Sequence, residues 1–162
     1  MSPALSLWRH TLCTYHHSIL SSPQAQGPCK CKLHFLFLDS RRIPLFQVDA
    51  FTDELFKGNP AAVCVTDQWL DDALMQNIAA ENNLAETAFL VPAGNDFSIR
   101  WFTPETEVDL CGHATLAAGY VLFHQYGFPG DTIHLHSKNS GLLKVTRDRD
   151  LFILDFAGGN PA

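Results

Sequence analysis

The sequence predicts an α+β fold, a strongly curved and mostly antiparallel sheet wrapped around one buried helix. Three observations carry that prediction. Short apolar runs, alternating or continuous, recur between turn signals from residue 44 to residue 156. The segment Gly112 to Tyr126 is apolar on nearly every side, through Ala114, Leu116, Ala117, Ala118, Val121, Leu122 and Phe123. A helix of that kind has to be covered all round, which a curved sheet can do. A second helical segment, by contrast, is apolar on one side only.

The elements follow in order. Pro44 to Ala50 reads as a strand, with Leu45, Phe46 and Val48 around the polar Gln47. Asp53, Gly58, Asn59 and Pro60 form a loop, and Ala61 to Val65 is a short buried strand. Asp67 or Asp71 can cap the one-sided helix, which runs to about Asn83 with Leu70, Leu74, Ile78 and Ala79 on its apolar face. Thr87 to Val91 and Phe97 to Phe102 are strands joined by a turn at Pro92 to Asp96. In the second of them Phe97, Ile99 and Trp101 alternate with Ser98 and Arg100. Gly127 and Pro129 end the buried helix. Thr132 to His136, Leu142 to Thr146 and Leu151 to Phe156 complete the sheet, with turns at Ser140-Gly141 and Arg147 to Asp150.

Composition divides the 162 residues into two parts. Residues 1–42 carry five basic residues against Asp39 alone, whereas residues 43–162 carry six basic against sixteen acidic. The leader has no sustained period and is expected to be a disordered, unmatched extension. Organelle targeting is one alternative for it. Zinc binding by Cys13, His16, His17, Cys29, Cys31 and His34 is another, although their spacing fits no regular finger. The apolar run Leu33 to Leu38 is able to pair as an edge strand. The net charge of −6 argues against a nucleic-acid partner. No apolar run of about 18 residues suggests a membrane span. Five cysteines, an odd number, make no disulfide framework and point to a reducing, cytoplasmic setting.

Three segments can carry chemistry. A loop carrying Thr103-Pro104, Glu105 and Glu107 delivers Asp109 to Thr115 into the buried helix, so the amides of Gly112, His113 and Ala114 are free to meet an anion. His113 can give or take a proton there, and Cys111 beside a helix start is expected to have a lowered pKa and to act as a base or nucleophile. The other reading of this segment is a helix cap with a buried cysteine and a hydrogen-bonded histidine. Glu86, before the apolar Thr87-Ala88-Phe89, is either a solvated charge at a strand end or a general acid/base raised by apolar neighbours. Asn59, in Gly58-Asn59-Pro60-Ala61-Ala62, either orients a ligand or closes a turn.

Together these segments resemble the phenazine biosynthesis-like (PhzF-like) family. The matching stretches are Val48-Asp49-Ala50-Phe51-Thr52, Gly58 to Val63, Glu86-Thr87-Ala88-Phe89, Trp101-Phe102-Thr103-Pro104, and Glu107 to Thr115. The resemblance covers about Pro44 to Phe156 and none of the leader. It implies a diaminopimelate epimerase-like lobe, the first of two that enclose a cleft. It also implies an isomerase that uses no metal and no organic cofactor and acts on a small carboxylate-bearing substrate. Glu86 matches the family's acid/base, and His113 matches a site residue on the first lobe. Cys111 falls where related epimerases carry a catalytic thiol. Asn59, Gly112 and Ala114 are expected to line the substrate site. The second lobe's Asp-Pro-x-Thr-Gly-like segment has no counterpart here, so residues 43–162 are expected to be one lobe. Its activity then depends on a second-lobe partner or a homodimer. The alternative is an inactive truncated product that serves as a binding module.

Overall fold

A computed structural model describes residues 13–14, 32–38, 41–54 and 56–156, with side chains from Ile43 onward. The described elements are β1 (Cys13–Thr14), β2 (Lys32–Leu38), β3 (Arg41–Ala50), β4 (Asn59–Val65), α1 (Asp72–Asn82), β5 (Glu86–Ala93) and β6 (Asp96–Phe102), then β7 (Glu107–Val108), α2 (Gly112–His124), β8 (Thr132–Ser137), β9 (Gly141–Asp148) and β10 (Leu151–Phe156). All the described strands join one sheet. Its path is β1-β3-β4-β5-β6-β8-β9-β10, with β2 also on β3 and β7 on β6. The pairs β4–β5 and β6–β8 are parallel, and the remaining pairs are antiparallel.

Helix α2 touches β3, β4 and β5 towards one end of that path and β9 and β10 at the other. Both ends reach one helix only because the sheet curls into a half-barrel around it. The expected α+β architecture, a curved sheet around a central buried helix, is therefore the one observed. Side-chain alternation builds its two faces. Phe46, Val48, Ala61, Val63, Ala88, Leu90, Ile99 and Trp101 point inward onto α2. Ile43, Leu45, Ala62, Cys64, Phe89 and Phe102 point outward, where Met75, Ile78 and Ala79 of α1 cover them. The parallel pair β4–β5 is thus buried on both faces, which explains its unbroken apolar sequence. Contact between α2 and the sheet is tight. A Cβ added at Gly119 would lie 2.5 Å from Cγ1 of Val145 on β9.

Element ends differ from the sequence expectation in informative ways. Asp71, not Asp67, caps α1 by accepting from the Ala73 amide at 3.0 Å. Helix α2 stops at His124, two residues early, because the chain turns through Gly127 at φ 64°. Residues 107 and 108, read as loop, form β7 opposite Trp101 and Phe102. Strand β9 runs to Asp148, which shortens the expected Arg147 to Asp150 turn. The run Leu33 to Leu38 lies within β2, antiparallel to β3. The disorder expected of the leader, and the side chains of Cys13, His16, His17, Cys29, Cys31 and His34, lie outside the described residues. Among the described residues, no helix is long and apolar enough to cross a membrane.

Candidate functional site

Glu86 opens β5, in parallel register with Ala61 of β4. Alternation sends it to the same side as Ala88 and Leu90, the concave face that holds α2. There it meets the start of that helix. His113 Nε2 lies 3.1 Å from Glu86 Oε2, with the two side chains 9% and 20% exposed. Cys111 Sγ lies 3.3 Å from His113 Nδ1. The fold therefore brings Glu86 to Cys111 and His113, which follow it by 25 and 27 residues in the chain. Their donor atoms lie within 4.8 Å of one another.

Distance and alignment disagree for the Glu86–His113 pair. The 3.1 Å separation qualifies as an ion-pair contact. Yet both Oε2 and Nε2 are buried without an aligned hydrogen bond. Alignment decides, because a hydrogen bond weakens steeply off axis. Among the described residues neither atom has an aligned partner, so each keeps unused bonding capacity.

Burial sets the protonation states. It lowers the His113 pKa, against the raising effects of the Glu86 carboxylate and the Pro60 carbonyl. The imidazole is thus neutral near pH 7, with one N–H and one lone pair. Cys111 is pushed up to about 11, chiefly by burial, with the Glu86 charge adding to it. The His113 and Ala114 amides pull the other way and are outweighed. This corrects the lowered pKa expected from the helix start. Cys111 is a thiol at neutral pH, able to donate a proton rather than act as a base.

The remaining expected site residues are less central. Ala114 is fully buried in the core beneath the site. Gly112 is half-buried, and a Cβ there would make ordinary contacts of 3.6 Å with Phe156 and 3.8 Å with Leu154, so space alone does not demand glycine. Asn59 is exposed at the start of β4, opposite Ala50 and next to Pro60. Phe51 is a site neighbour that sequence reasoning missed. Its ring lies 6.4 Å from the His113 ring, on a left-handed backbone of φ 65°. Its place in Asp49-Ala50-Phe51-Thr52, a matching stretch, was the available signal.

A second set of charges lies on the outer face and is fully engaged. Arg100 donates to both oxygens of Glu107, at 2.6 and 2.7 Å, and to Asp72 at 2.8 Å. Asp96 meets His136 at 2.8 Å and His134 at 3.4 Å, and the hydrogen bond with His136 is the main reason its carboxyl is held low.

Comparison with known proteins agrees with this geometry. The family model for phenazine biosynthesis-like proteins matches residues 48–153. An uncharacterized isomerase of Pseudomonas aeruginosa is 51% identical over 119 residues, covering 74% of this chain and 46% of that relative. A crystal structure of a PhzF-family phenazine biosynthesis protein from Enterococcus faecalis superposes with a TM-score of 0.65 at 56% identity, covering 66% of this chain and 41% of that one. The structure of a predicted epimerase from Pseudomonas aeruginosa superposes with a TM-score of 0.57 at 33% identity, covering 65% of this chain and 39% of that one. The chain spans about half the length of the curated relatives it matches.

Proposed function

Because the chain belongs to the phenazine biosynthesis-like family, we propose that it supplies the acid/base half of an isomerase site, with Glu86 moving a proton between carbons of a small carboxylate-bearing metabolite. The observation that carries this reading is the pair of buried, unpartnered atoms, Glu86 Oε2 and His113 Nε2, 3.1 Å apart at the start of α2. The likeness to the Pseudomonas isomerase supports the reaction class.

In this reading the Glu86 carboxylate takes a proton from a carbon α or vinylogous to the substrate's carboxylate or carbonyl. Electron density moves onto the substrate oxygens as the C–H bond breaks. The His113 N–H and the positive end of the α2 dipole meet that developing charge. Protonated Glu86 then returns the proton to a second carbon, and the double bond or stereocentre has moved. The Cys111 thiol is a neighbouring proton donor. Residues lining the facing wall of the cleft belong to the part of the relatives' length that this chain does not match.

The test is proton exchange in deuterated water. The Pseudomonas isomerase with its matching portion replaced by residues 43–156 of this chain is screened against small unsaturated and amino carboxylates. Deuterium incorporation is expected, and Glu86→Gln is expected to lower its rate by at least about 100-fold. Undiminished exchange in the Glu86→Gln chimaera would remove Glu86 from the acid/base role.

A further inference from the structure

We propose that Glu86, Cys111 and His113 also form a three-ligand site for a divalent cation of the zinc class, which holds these groups out of action while it is bound. The inference uses the side chains of the proposed reaction but does not rest on Glu86 acting as a base, and it assigns the cation no part in the chemistry. A carboxylate oxygen, an imidazole nitrogen and a thiolate sulfur are the donors that Zn2+ accepts. Here one donor atom from each residue lies within 4.8 Å of the others. The 3.1 Å between Glu86 Oε2 and His113 Nε2 is close to the roughly 3.3 Å that separates adjacent ligands around tetrahedral zinc.

Two further features favour the cation. Oε2 and Nε2 are buried without aligned partners, and a metal would satisfy both. A thiolate and a carboxylate together cancel the two positive charges, leaving a neutral centre in a half-buried place. On binding, the Cys111 S–H bond breaks, a sulfur–metal bond forms and the proton passes to solvent. The ligands sit on a strand end and a helix start, not on a long loop, and the change that binding requires is a turn of the Cys111 side chain, whose Sγ rests 3.3 Å from His113 Nδ1, towards Nε2. Glu86 retains 20% exposure, so solvent reaches the site.

Cobalt reads this site directly. The purified, metal-stripped chain is titrated with Co2+ alone and then with Zn2+. The expected result is one equivalent of cobalt, a near-ultraviolet thiolate-to-cobalt band, intense visible bands of four-coordination, and loss of all of them as Zn2+ displaces the probe. Cys111→Ser should abolish the thiolate band. Glu86→Gln keeps the thiol and should weaken cobalt binding by at least about 10-fold while the band survives at saturation. A triple Cys13→Ser, Cys29→Ser, Cys31→Ser variant should bind as the parent does. Absence of the band in the parent chain would overturn the proposal. So would its persistence in Cys111→Ser, its loss in the triple variant, or unchanged affinity in Glu86→Gln. Because no substrate is used, a cobalt site without proton exchange sinks only the reaction, and exchange without a cobalt site sinks only this proposal.

Discussion

Helix α1 begins on Asp71, whose carboxylate accepts from the Ala73 amide, and Asp72 follows in its first turn. Helix α2 begins on Cys111, with no side-chain cap and no acidic residue in its first turn. The first arrangement is that of a helix completed by its own sequence. The second leaves the positive end of the helix dipole facing Glu86. The two helices differ in burial in the same sense. Three residues of α1 are buried, whereas eleven of the thirteen in α2 are. The helix that the fold holds most tightly is the one whose start is left open, so tertiary packing supplies the stability that capping does not.

The sharpest way to break this contrast is at Gly119. Alanine there would press on Val145, which as a β-branched residue in a packed sheet has little room to turn away. Overpacking of this kind costs about 1–3 kcal/mol, partly offset by the roughly 1 kcal/mol that alanine gains over glycine in a helix. A net loss of stability in urea unfolding is expected. Cutting Val145 back to alanine in the same chain should make the pair of changes less costly than their sum. On α1 the equivalent test removes the cap. Asp71→Ala is expected to cost about 1 kcal/mol, read as a lower urea midpoint at unchanged slope.

The smallest effect separates the two helix starts by pH. His113 has a folded pKa below its ordinary 6.5, so protonation favours the unfolded chain. Its contribution to stability is complete above pH 6.5 and is lost as pH falls through the lower folded value. His124, lowered by burial and by Arg147, acts in the same window. His113→Gln should therefore remove part, not all, of that loss. Asp72 is held low by its hydrogen bond and charge contact with Arg100, so its contribution is present above pH 3.8 and fades only below it. Urea midpoints measured across both windows check the assignment. A His113→Gln chain with the parent's full loss just below pH 6.5 would contradict it.

Much of the fold was legible because its signals are local. The alternation of Phe97, Ile99 and Trp101 marks β6, and the apolar faces all round α2 require a covering sheet. Strand β7 was not legible. Two residues hold no period, and only their pairing with Trp101 and Phe102 makes them a strand. At the site, the resemblance identified Glu86, Cys111 and His113, while spacing alone left each with an ordinary structural alternative. The Cys111 pKa was misjudged because helix position is written in the sequence, but burial and the approach of Glu86 are not. Contacts of Leu154 and Phe156 with the space beside Gly112 join positions more than forty residues apart, and no local pattern announces them.

Thr87, the residue after Glu86, is 1% exposed and accepts a hydrogen bond from Asn82 Nδ2 in the last turn of α1, at 3.2 Å. The two neighbours on β5 therefore look in opposite directions, one to the outer helix and one to the start of α2. A slip of β5 by a single residue would exchange them. Thr87 would then face His113, and the carboxylate would sit under α1, away from Cys111 and His113. The Asn82–Thr87 bond is in effect an index mark for the side of the sheet that receives the carboxylate, set by a helix on the opposite face.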